Sequence, residues 1–434
     1  MTRALSILLC SIFSFSLLQA ENWPRFRGPN GSGKSRATGV PLEWSESKNL
    51  KWKYDLPGPG SSSPIIWGDK VFVTCYSGYG HDGGSPSIME LKRHLIALNR
   101  DTGERLWEKT VEGVREEDPY FNFMEEHGYA SNTPATDGEL VFCFFGKAGV
   151  VAFDFEGNQL WKAPVGAMHS SKRWGSASSV VLFEDLVIVK AGDESRAVVA
   201  FDKFTGAEVW TAESGMFEQT YGTPVLHKVS EDRTDLIVAG VGEVWGMNPS
   251  SGGLRWFAKT NLLGNISSSP VISDDGSMMV LFGGFPRTLG IGLEIGKKGD
   301  VTDSAVIWEN NDVKSYMTIP VFHEGKLYFV RDEGIACCAD PKAGTILYEE
   351  RLAHTQGRGG RGKPFYASPV LVDGHVLAVS RTAGTFVIEA KPKLNLVRTN
   401  FIEGDETRFQ GTPAISDGKL FLRSEKAIYC IGHE

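Results

Sequence analysis

One short corner motif recurs along this 434-residue sequence and constrains its fold more than any other feature. In each copy, small polar residues precede a proline, which is followed by an apolar run, a turn of the Asp-Gly type and a second apolar run. Eight copies occur, and the third lacks the proline. A period of roughly 45 residues is typical of proteins built from four-stranded units. The copies are anchored at Pro64, Pro134, Ser178, Pro224, Pro270, Pro320, Pro369 and Pro413.

The second half of each copy is equally regular. Residues 97–107 and 200–210 give its clearest form: a strand, a turn ending at glycine, and a strand ending at tryptophan. No copy has the 3.6-residue period of a helix, so each supplies four short strands. One such sheet cannot bury both faces, whereas eight sheets around an axis can, which predicts an all-β, eight-bladed β-propeller. The tryptophans predicted to pack between blades are Trp52, Trp107, Trp161, Trp210, Trp256 and Trp308.

The ends of the repeat array complement each other. The eighth copy contains only three strands, and the missing outer strand is present at residues 50–56, with Trp52 in the expected place. We therefore expect the N-terminal strand to complete the last blade and close the ring, which also hides a free sheet edge.

The first 49 residues lie outside the repeat. Residues 1–20 carry Arg3, then an apolar run, and end at Ala20, which is typical of a cleavable secretory signal. A retained membrane anchor is the alternative, but the run is shorter than the roughly 20 residues that a span needs. The sequence thus predicts a periplasmic or secreted protein with a signal at 1–20, a lead-in segment at 21–49 and the propeller at 50–434.

Charge and cysteine content narrow the function classes. The formal net charge is -8, which disfavours a nucleic-acid partner. Five cysteines follow the predicted signal, too few for a disulfide scaffold in a chain of this length. Cys75, Cys143 and Cys430 lie in apolar strand-like runs, where a small buried side chain is expected.

The signature A-x-D-x-x-T-G-x-x-x-W in residues 97–107 and 200–210 resembles the tryptophan-docking repeat of pyrroloquinoline quinone (PQQ) type propellers. That group includes quinoprotein alcohol dehydrogenases and BamB-like outer-membrane assembly factors. The resemblance covers roughly residues 50–434. Residues 23–29, WPRFRGP, also look like the mature N-terminus of secreted bacterial PQQ-repeat proteins. This resemblance implies the architecture and leaves the function open.

The dehydrogenase branch of that resemblance implies PQQ held with calcium, an indole stacked on the quinone, an Asp base and, in some members, a bridge between adjacent cysteines. Cys337 and Cys338 invite this comparison. The repeat, however, places them on the third strand of the sixth unit, where neighbouring side chains point to opposite faces, so we expect two unpaired thiols. The sequence contains no C-x-x-C-H, which excludes c-type haem, and no EF-hand loop for calcium.

The loops before each proline corner should converge on one mouth of the central channel. Aromatic, basic and polar side chains recur in them and would suit a small anion, a sugar or an aromatic cofactor. The alternative is that bulky residues simply fill the channel end of each blade. The candidates are His127, Tyr129, Arg173, Trp174, Tyr221, Tyr316, Lys363, Tyr366, Arg408 and Gln410. The basic run at 357–363 is interpreted as a solvated loop or an anion contact.

Residues 28–35, GPNGSGKS, match the phosphate-binding P-loop pattern G-x-x-x-x-G-K-[ST]. A working P-loop needs a buried strand before it and a helix after it. Only ENWPRFR separates the motif from the predicted cleavage site, and Gly39 and Pro41 oppose a following helix. We therefore expect no ATP site.

Two functional hypotheses remain open at this point. The first is a non-catalytic binding or scaffold protein that uses the channel mouth or blade edges for a protein or small-molecule partner. The second is a PQQ-dependent oxidoreductase with the quinone and a cation at the channel mouth. The missing haem motif and the strand placement of the cysteine pair favour the first.

Overall fold

The computed structural model describes residues 21–352 and 363–433 and confirms the predicted fold: eight antiparallel sheets arranged as a β-propeller. The predicted signal at residues 1–20 lies outside the described residues. Within the described ranges, no helix is long and apolar enough to cross a membrane.

The first four blades follow the chain directly, each sheet running from the channel outward in sequence order. Blade 4 carries an extra fifth strand, β21, from the following segment. Blade 1 is β2 (Ile65–Trp67), β3 (Lys70–Ser77), β4 (Lys92–Asn99) and β5 (Arg105–Glu112); blade 2 is β6 (Ala135–Thr136), β7 (Leu140–Phe144), β8 (Val150–Asp154) and β9 (Gln159–Ala163); blade 3 is β10 (Val181–Phe183), β11 (Leu186–Ala191), β12 (Ala197–Asp202) and β13 (Glu208–Glu213); blade 4 is β14 (Val225–Ser230), β15 (Arg233–Gly240), β16 (Glu243–Met247), β17 (Leu254–Lys259) and β21 (Gly299–Asp300).

Blades 5 to 8 have the same order, and the last is completed by β1 (Leu50–Asp55). The helices are short: α1 (Met124–His127), α2 (Thr302–Ala305) and 3₁₀ turns at Ile88–Glu90, Gly146–Ala148 and Gly215–Phe217. Blade 5 is β18 (Val271–Ile272), β19 (Met278–Gly283), β20 (Leu289–Glu294) and β22 (Val306–Asn310); blade 6 is β23 (Val321–His323), β24 (Lys326–Arg331), β25 (Ile335–Asp340) and β26 (Thr345–Arg351); blade 7 is β27 (Val370–Val372), β28 (His375–Val379), β29 (Thr385–Glu389) and β30 (Leu396–Asn400); blade 8 is β31 (Ala414–Ser416), β32 (Lys419–Arg423), β33 (Ala427–Ile431) and β1.

Ring closure occurs as predicted. Strand β1 pairs antiparallel with β33, so that Trp52 lies opposite Cys430. The ring is thus fastened by backbone hydrogen bonds between segments nearly 400 residues apart in sequence.

A tryptophan of each regular outer strand packs on the next blade. The Trp161 indole N–H donates to the backbone carbonyl of Lys203 at 2.9 Å, and its ring lies over Gly206 in the same turn. Trp52, Trp107, Trp210 and Trp308 make the equivalent bonds to Arg100, Phe155, Pro249 and Pro341.

Trp256 is different. Its indole N–H donates to the buried carboxylate of Asp235 in its own blade at 2.9 Å. The next blade lacks the regular glycine turn there, and β21 pairs in parallel beside Trp256 instead. The irregular segment of blade 5 thus explains why this indole has another partner.

The lead-in segment lies across one end of the channel. Trp23 exchanges backbone hydrogen bonds with Ile66 of blade 1, and Gly33 and Ser35 bond to Leu371 of blade 7. Between them, the P-loop-like stretch forms turns and no helix. The carbonyl oxygens of Gly31 and Ser32 accept bonds from Arg27, whereas a P-loop directs N–H groups at its ligand.

The docking contact predicts a difference between two glycine substitutions. Gly206 and Gly374 both have φ +70, so alanine at either costs about 1–2 kcal/mol of left-handed backbone strain. A Cβ at Gly206 would lie 2.6 Å from the Trp161 ring, whereas a Cβ at Gly374 meets nothing within 4 Å. In urea titrations, Gly206→Ala should lower the free energy of unfolding by at least about 1 kcal/mol more than Gly374→Ala. Equal losses would contradict a tight inter-blade contact.

Candidate functional site

The residues that line the channel come from two positions of each corner. The corner backbone is extended, so alternate side chains point toward the axis. Counting back from the proline, the side chains at −1 and −3 face the channel, while those at −2 point into the blades. The lining at −3 is Ser61, Ser131, Ala177, Tyr221, Ser267, Met317, Tyr366 and Gln410, and at −1 it is Ser63, Thr133, Ser179, Thr223, Ser269, Ile319, Ser368 and Thr412. In blade 3, Val180 takes the place of the proline, two residues after the anchor expected from the sequence.

Seven of the eight −1 residues carry a hydroxyl, and these hydroxyls tie neighbouring blades together. The backbone N–H of Ser63 donates to Thr133 Oγ1 at 3.0 Å, and the N–H of Thr133 donates to Ser179 Oγ at 3.0 Å. Four further bonds repeat this pattern, received by Thr223, Ser269, Ser368 and Thr412. Ile319 replaces the hydroxyl residue at the corner of blade 6. We call this set the hydroxyl ring.

The lead-in segment forms the floor of the channel. Phe26 lines the cavity, and the Arg27 side chain beside it is buried. The Arg27 guanidinium donates to the carbonyls of Ile319, Pro320 and Pro369, at 3.3, 2.7 and 3.1 Å. Burial lowers the pKa of Arg27 to about 9. This arginine therefore fixes the floor to blades 6 and 7.

The insertion at residues 113–128 covers the opposite end, and we call it the cap. Phe123 stacks on Trp174 with ring centroids 4.8 Å apart, and lies 6.2 Å from the ring of Tyr366. His127 bonds to Ser131 Oγ at 2.7 Å and to the Trp174 carbonyl at 2.8 Å. Burial lowers the pKa of His127, which favours the neutral imidazole. Floor and cap together leave a cavity of about 150 Å³.

Ion pairs hold the cap on the far side of the mouth. Glu126 pairs with Arg381 of blade 7 and with Arg408 of the loop before blade 8, the latter at 3.2 Å. Gln410 donates to the Glu126 carbonyl at 2.7 Å. Arg381 also lies over the Tyr366 ring, 4.3 Å from its centroid. The cap is thus fastened to blades that are distant from it in sequence.

On the near side, the cap is held by buried charges. Glu117 pairs with Arg93 at 2.7 Å, with both side chains no more than 5% exposed. Asp118 pairs with Lys147 at 2.7 Å and is hydrogen-bonded to His169 Nδ1 at 2.6 Å. Buried pairs of this kind are costly to break from one side, because the remaining charge loses its partner.

Two further buried carboxyls, those of Asp193 and Glu194, lie near these ion pairs. Burial favours the protonated form of both. Burial, and secondarily the charge of Asp193, raise the pKa of Glu194 to about 8. Burial also raises the pKa of Asp193, which accepts a bond from Ser170 at 2.7 Å. Neither side chain lines the cavity.

The ten candidate residues divide equally. Five line the cavity and five do not. The lining group is His127, Trp174, Tyr221, Tyr366 and Gln410. Of the others, Arg173 is exposed at the rim, Tyr129 donates to the Asp118 carbonyl within the cap, Tyr316 packs on Phe285, Lys363 pairs with Asp332 and Glu333, and Arg408 holds Glu126. Residues 357–362 of the basic run lie outside the described part of the chain.

Sequence reasoning missed the residues that close the channel. Phe26 and Phe123 belong to irregular segments whose place over the axis depends on long-range contacts. The corner motif contains the residues of the hydroxyl ring, but the motif alone does not show which of their side chains face the channel. Alternation of side chains before each proline was the available signal.

Cys337 and Cys338 lie on β25 with their side chains on opposite faces of the blade. All five described cysteines are free and buried, and burial raises the pKa of the Cys337 thiol to about 12. Across the described ranges, no group of three or more His, Cys, Asp or Glu side chains is arranged to hold a metal ion.

The family model described as outer membrane protein assembly factor BamB matches residues 42–172 and 91–350. These matches cover more than half of the chain, and the protein belongs to this family. A search of curated proteins found no match.

Solved structures share the fold at low sequence identity. BamB from Moraxella catarrhalis is 12% identical with a TM-score of 0.62, covering 89% of this chain and 97% of that one. A quinohemoprotein alcohol dehydrogenase from Comamonas testosteroni is 11% identical with a TM-score of 0.63, covering 95% and 81%. A europium-containing methanol dehydrogenase is 12% identical with a TM-score of 0.61, covering 93% and 89%. At these identities the likeness shows the architecture alone.

The clamp on Glu126 predicts how the cap opens. Arg381→Met removes one of its two cationic partners, worth up to about 1.5–3 kcal/mol for a hydrogen bond to a charged group. Backbone amides of residues 113–128 should then exchange hydrogen with solvent at least about tenfold faster. Arg398→Met is the control, because the Arg398–Glu43 pair is exposed and distant from the cap. Unchanged exchange in Arg381→Met would contradict the clamp.

The raised pKa of Glu194 predicts a pH dependence of stability. A carboxyl with a higher pKa in the folded protein binds more protons there than in the unfolded chain, so stability falls as pH rises from about 4.5 to about 8. Glu194→Gln should therefore gain stability relative to the wild type as the pH is raised across this window, in urea titrations. The exposed Glu139→Gln should track the wild type. A Glu194→Gln difference that stays constant with pH would contradict the assignment.

Proposed function

We propose that the protein is an exported, non-catalytic binding protein whose site is the capped central cavity. The observation that carries this proposal is that two segments outside the regular repeat close the channel from both ends around an uncharged wall. None of the cavity-lining side chains is Asp, Glu, Lys or Arg. Enclosure and a pre-formed shape are properties of small-molecule sites.

Export is proposed from the signal-like pattern of residues 1–20, with the mature chain beginning near Glu21. The carbonyl of Glu21 accepts a bond from Ser416 at 2.7 Å, so this end of the described chain is tied to blade 8.

The oxidoreductase hypothesis was tested against the same cavity. PQQ is a planar quinone with three carboxylates, and burying three such charges together requires several cationic or N–H partners. The lining offers no Arg or Lys side chain, and about 150 Å³ is below the roughly 300 Å³ at which pockets for larger ligands begin. The residues present do not fit PQQ.

A protein partner is the second candidate for the binding role. Phe121 on the outer surface of the cap is 63% exposed, beside the exposed Pro119 and Asn122. An exposed aromatic side chain on a loop above a rigid ring suits a contact between proteins.

The test uses the full mature chain and two probes. Toluene, a small uncharged aromatic, should bind saturably and quench the fluorescence of Trp174 in the cavity mouth. Ala177→Phe should abolish this binding by filling the cavity, and it should fold, because Tyr221 and Tyr366 show that position −3 accepts an aromatic ring. Ala343→Phe, at an exposed turn, is the matched control.

PQQ with calcium is the opposing probe. We expect no saturable change in quinone absorbance and no dye-linked alcohol oxidation. Saturable PQQ binding together with dye reduction, both lost in Ala177→Phe, would replace the proposal with the oxidoreductase. Toluene binding that is unchanged in Ala177→Phe would overturn the cavity as the binding site.

A further inference from the structure

The hydroxyl ring has unused donors that point into the cavity. Six of its seven hydroxyl oxygens accept a backbone N–H from the preceding blade. A serine or threonine hydroxyl also has one hydrogen to donate. Among the described residues, none of the seven donates a hydrogen bond to another protein group, although all seven side chains are more than nine-tenths buried.

The hydroxyls one residue earlier provide an internal comparison. Ser62 Oγ donates to the Thr74 carbonyl at 3.1 Å, and Thr318 Oγ1 donates to the Val330 carbonyl at 2.6 Å. Three of the four hydroxyls at position −2, those of Ser62, Ser268 and Thr318, thus donate to backbone carbonyls, and only Ser178 Oγ has no partner among the described residues. The side chains at position −1 line the channel instead, with their hydrogens unused. An occupant that carries acceptor atoms would accept hydrogen bonds from these hydroxyls, which makes it favourable there.

The electrostatics of the floor select the charge of that occupant. The buried Arg27 guanidinium lies directly behind the ring, bonded to the carbonyls of Ile319 and Pro320. Its bonds go to carbonyl oxygens, and among the described residues no carboxylate pairs with it. An uncompensated buried cation gives this end of the cavity a positive potential, which favours an anion.

The opposite end of the cavity is aromatic. Phe123, Trp174 and Tyr366 present ring faces and edges there. Arg381, which lies over the Tyr366 ring, is paired with Glu126 of the cap. An apolar body therefore suits the aromatic end, while the free hydroxyl donors and the cation behind them favour an anionic group at the hydroxyl ring.

From this polarity we propose that the cavity binds a small aromatic or aliphatic monocarboxylate, with its carboxylate in the hydroxyl ring and its apolar body beneath the cap. This inference rests on the proposed function, since it requires the cavity to be the binding site. The size agrees, because an engineered protein cavity of about 150 Å³ accommodates benzene.

Benzoate, toluene and benzylamine, which is cationic at neutral pH, test the proposal by calorimetry on the full mature chain. They share one ring and differ in the group attached to it. We expect benzoate to bind at least tenfold more tightly than toluene, and benzylamine to bind more weakly than either. Toluene binding as tight as benzoate would overturn the monocarboxylate and leave the cavity site intact. Failure of both to bind would overturn the cavity site as well.

Two ring variants separate donation from packing. Ile319→Thr supplies the missing eighth hydroxyl and should tighten benzoate binding about two- to tenfold, the value of one added hydrogen bond. Ser63→Ala should weaken benzoate binding by a similar factor. It is the mildest deletion because, among the described residues, Ser63 Oγ accepts no backbone N–H from another blade, so that no bond of the ring is lost. Toluene affinity should change less than twofold in both. Equal changes for the two probes would show that packing decides the affinity and would overturn the donor ring.

Discussion

The hydrogen bond from a docking indole to the next blade's turn sets the spacing of the blades at five of the eight junctions. At Trp161 the bond to the Lys203 carbonyl places the indole over Gly206, where a side chain would not fit. The same pairing recurs at four other blade junctions, so the two blades at each of these junctions are held at one angle to each other. Because these angles are fixed, the corner residues arrive at the axis in register, and the hydroxyl ring can form.

Both segments that close the channel, the lead-in and the cap, lie outside the regular repeat. The lead-in contributes Phe26 and Arg27 at the floor, and the cap contributes Phe123 and His127 at the mouth. The regular blades supply only the wall between them. The repeated blades therefore set the dimensions of the channel, and the two non-repeated segments make one end of the channel chemically different from the other.

The fold was predictable because its signals are local and repeated. Strand alternation, glycine turns and outer tryptophans recur in each copy, and ring closure follows from the complementary ends. Tyr221, Tyr366 and Gln410 were found in the cavity because their distance from the proline is fixed. Arg408 and Lys363 were not, because sequence does not show the carboxylates that engage them. Phe26 and Phe123 depend on contacts between remote segments, which no local pattern reports.

Closure by a shared blade has a consequence for how the molecule is made. Strand β1 finds its partner only when β33 exists, and Arg27 finds its carbonyl partners 292 to 342 residues further along the chain. Most of the blades must therefore be synthesised before the lead-in segment and the cap can contact their final partners. Such distant pairing implies slow acquisition of the finished ring. During that interval the first segments of the chain remain without their final partners. The cavity is therefore completed last, when the floor, the cap and the final blade come together.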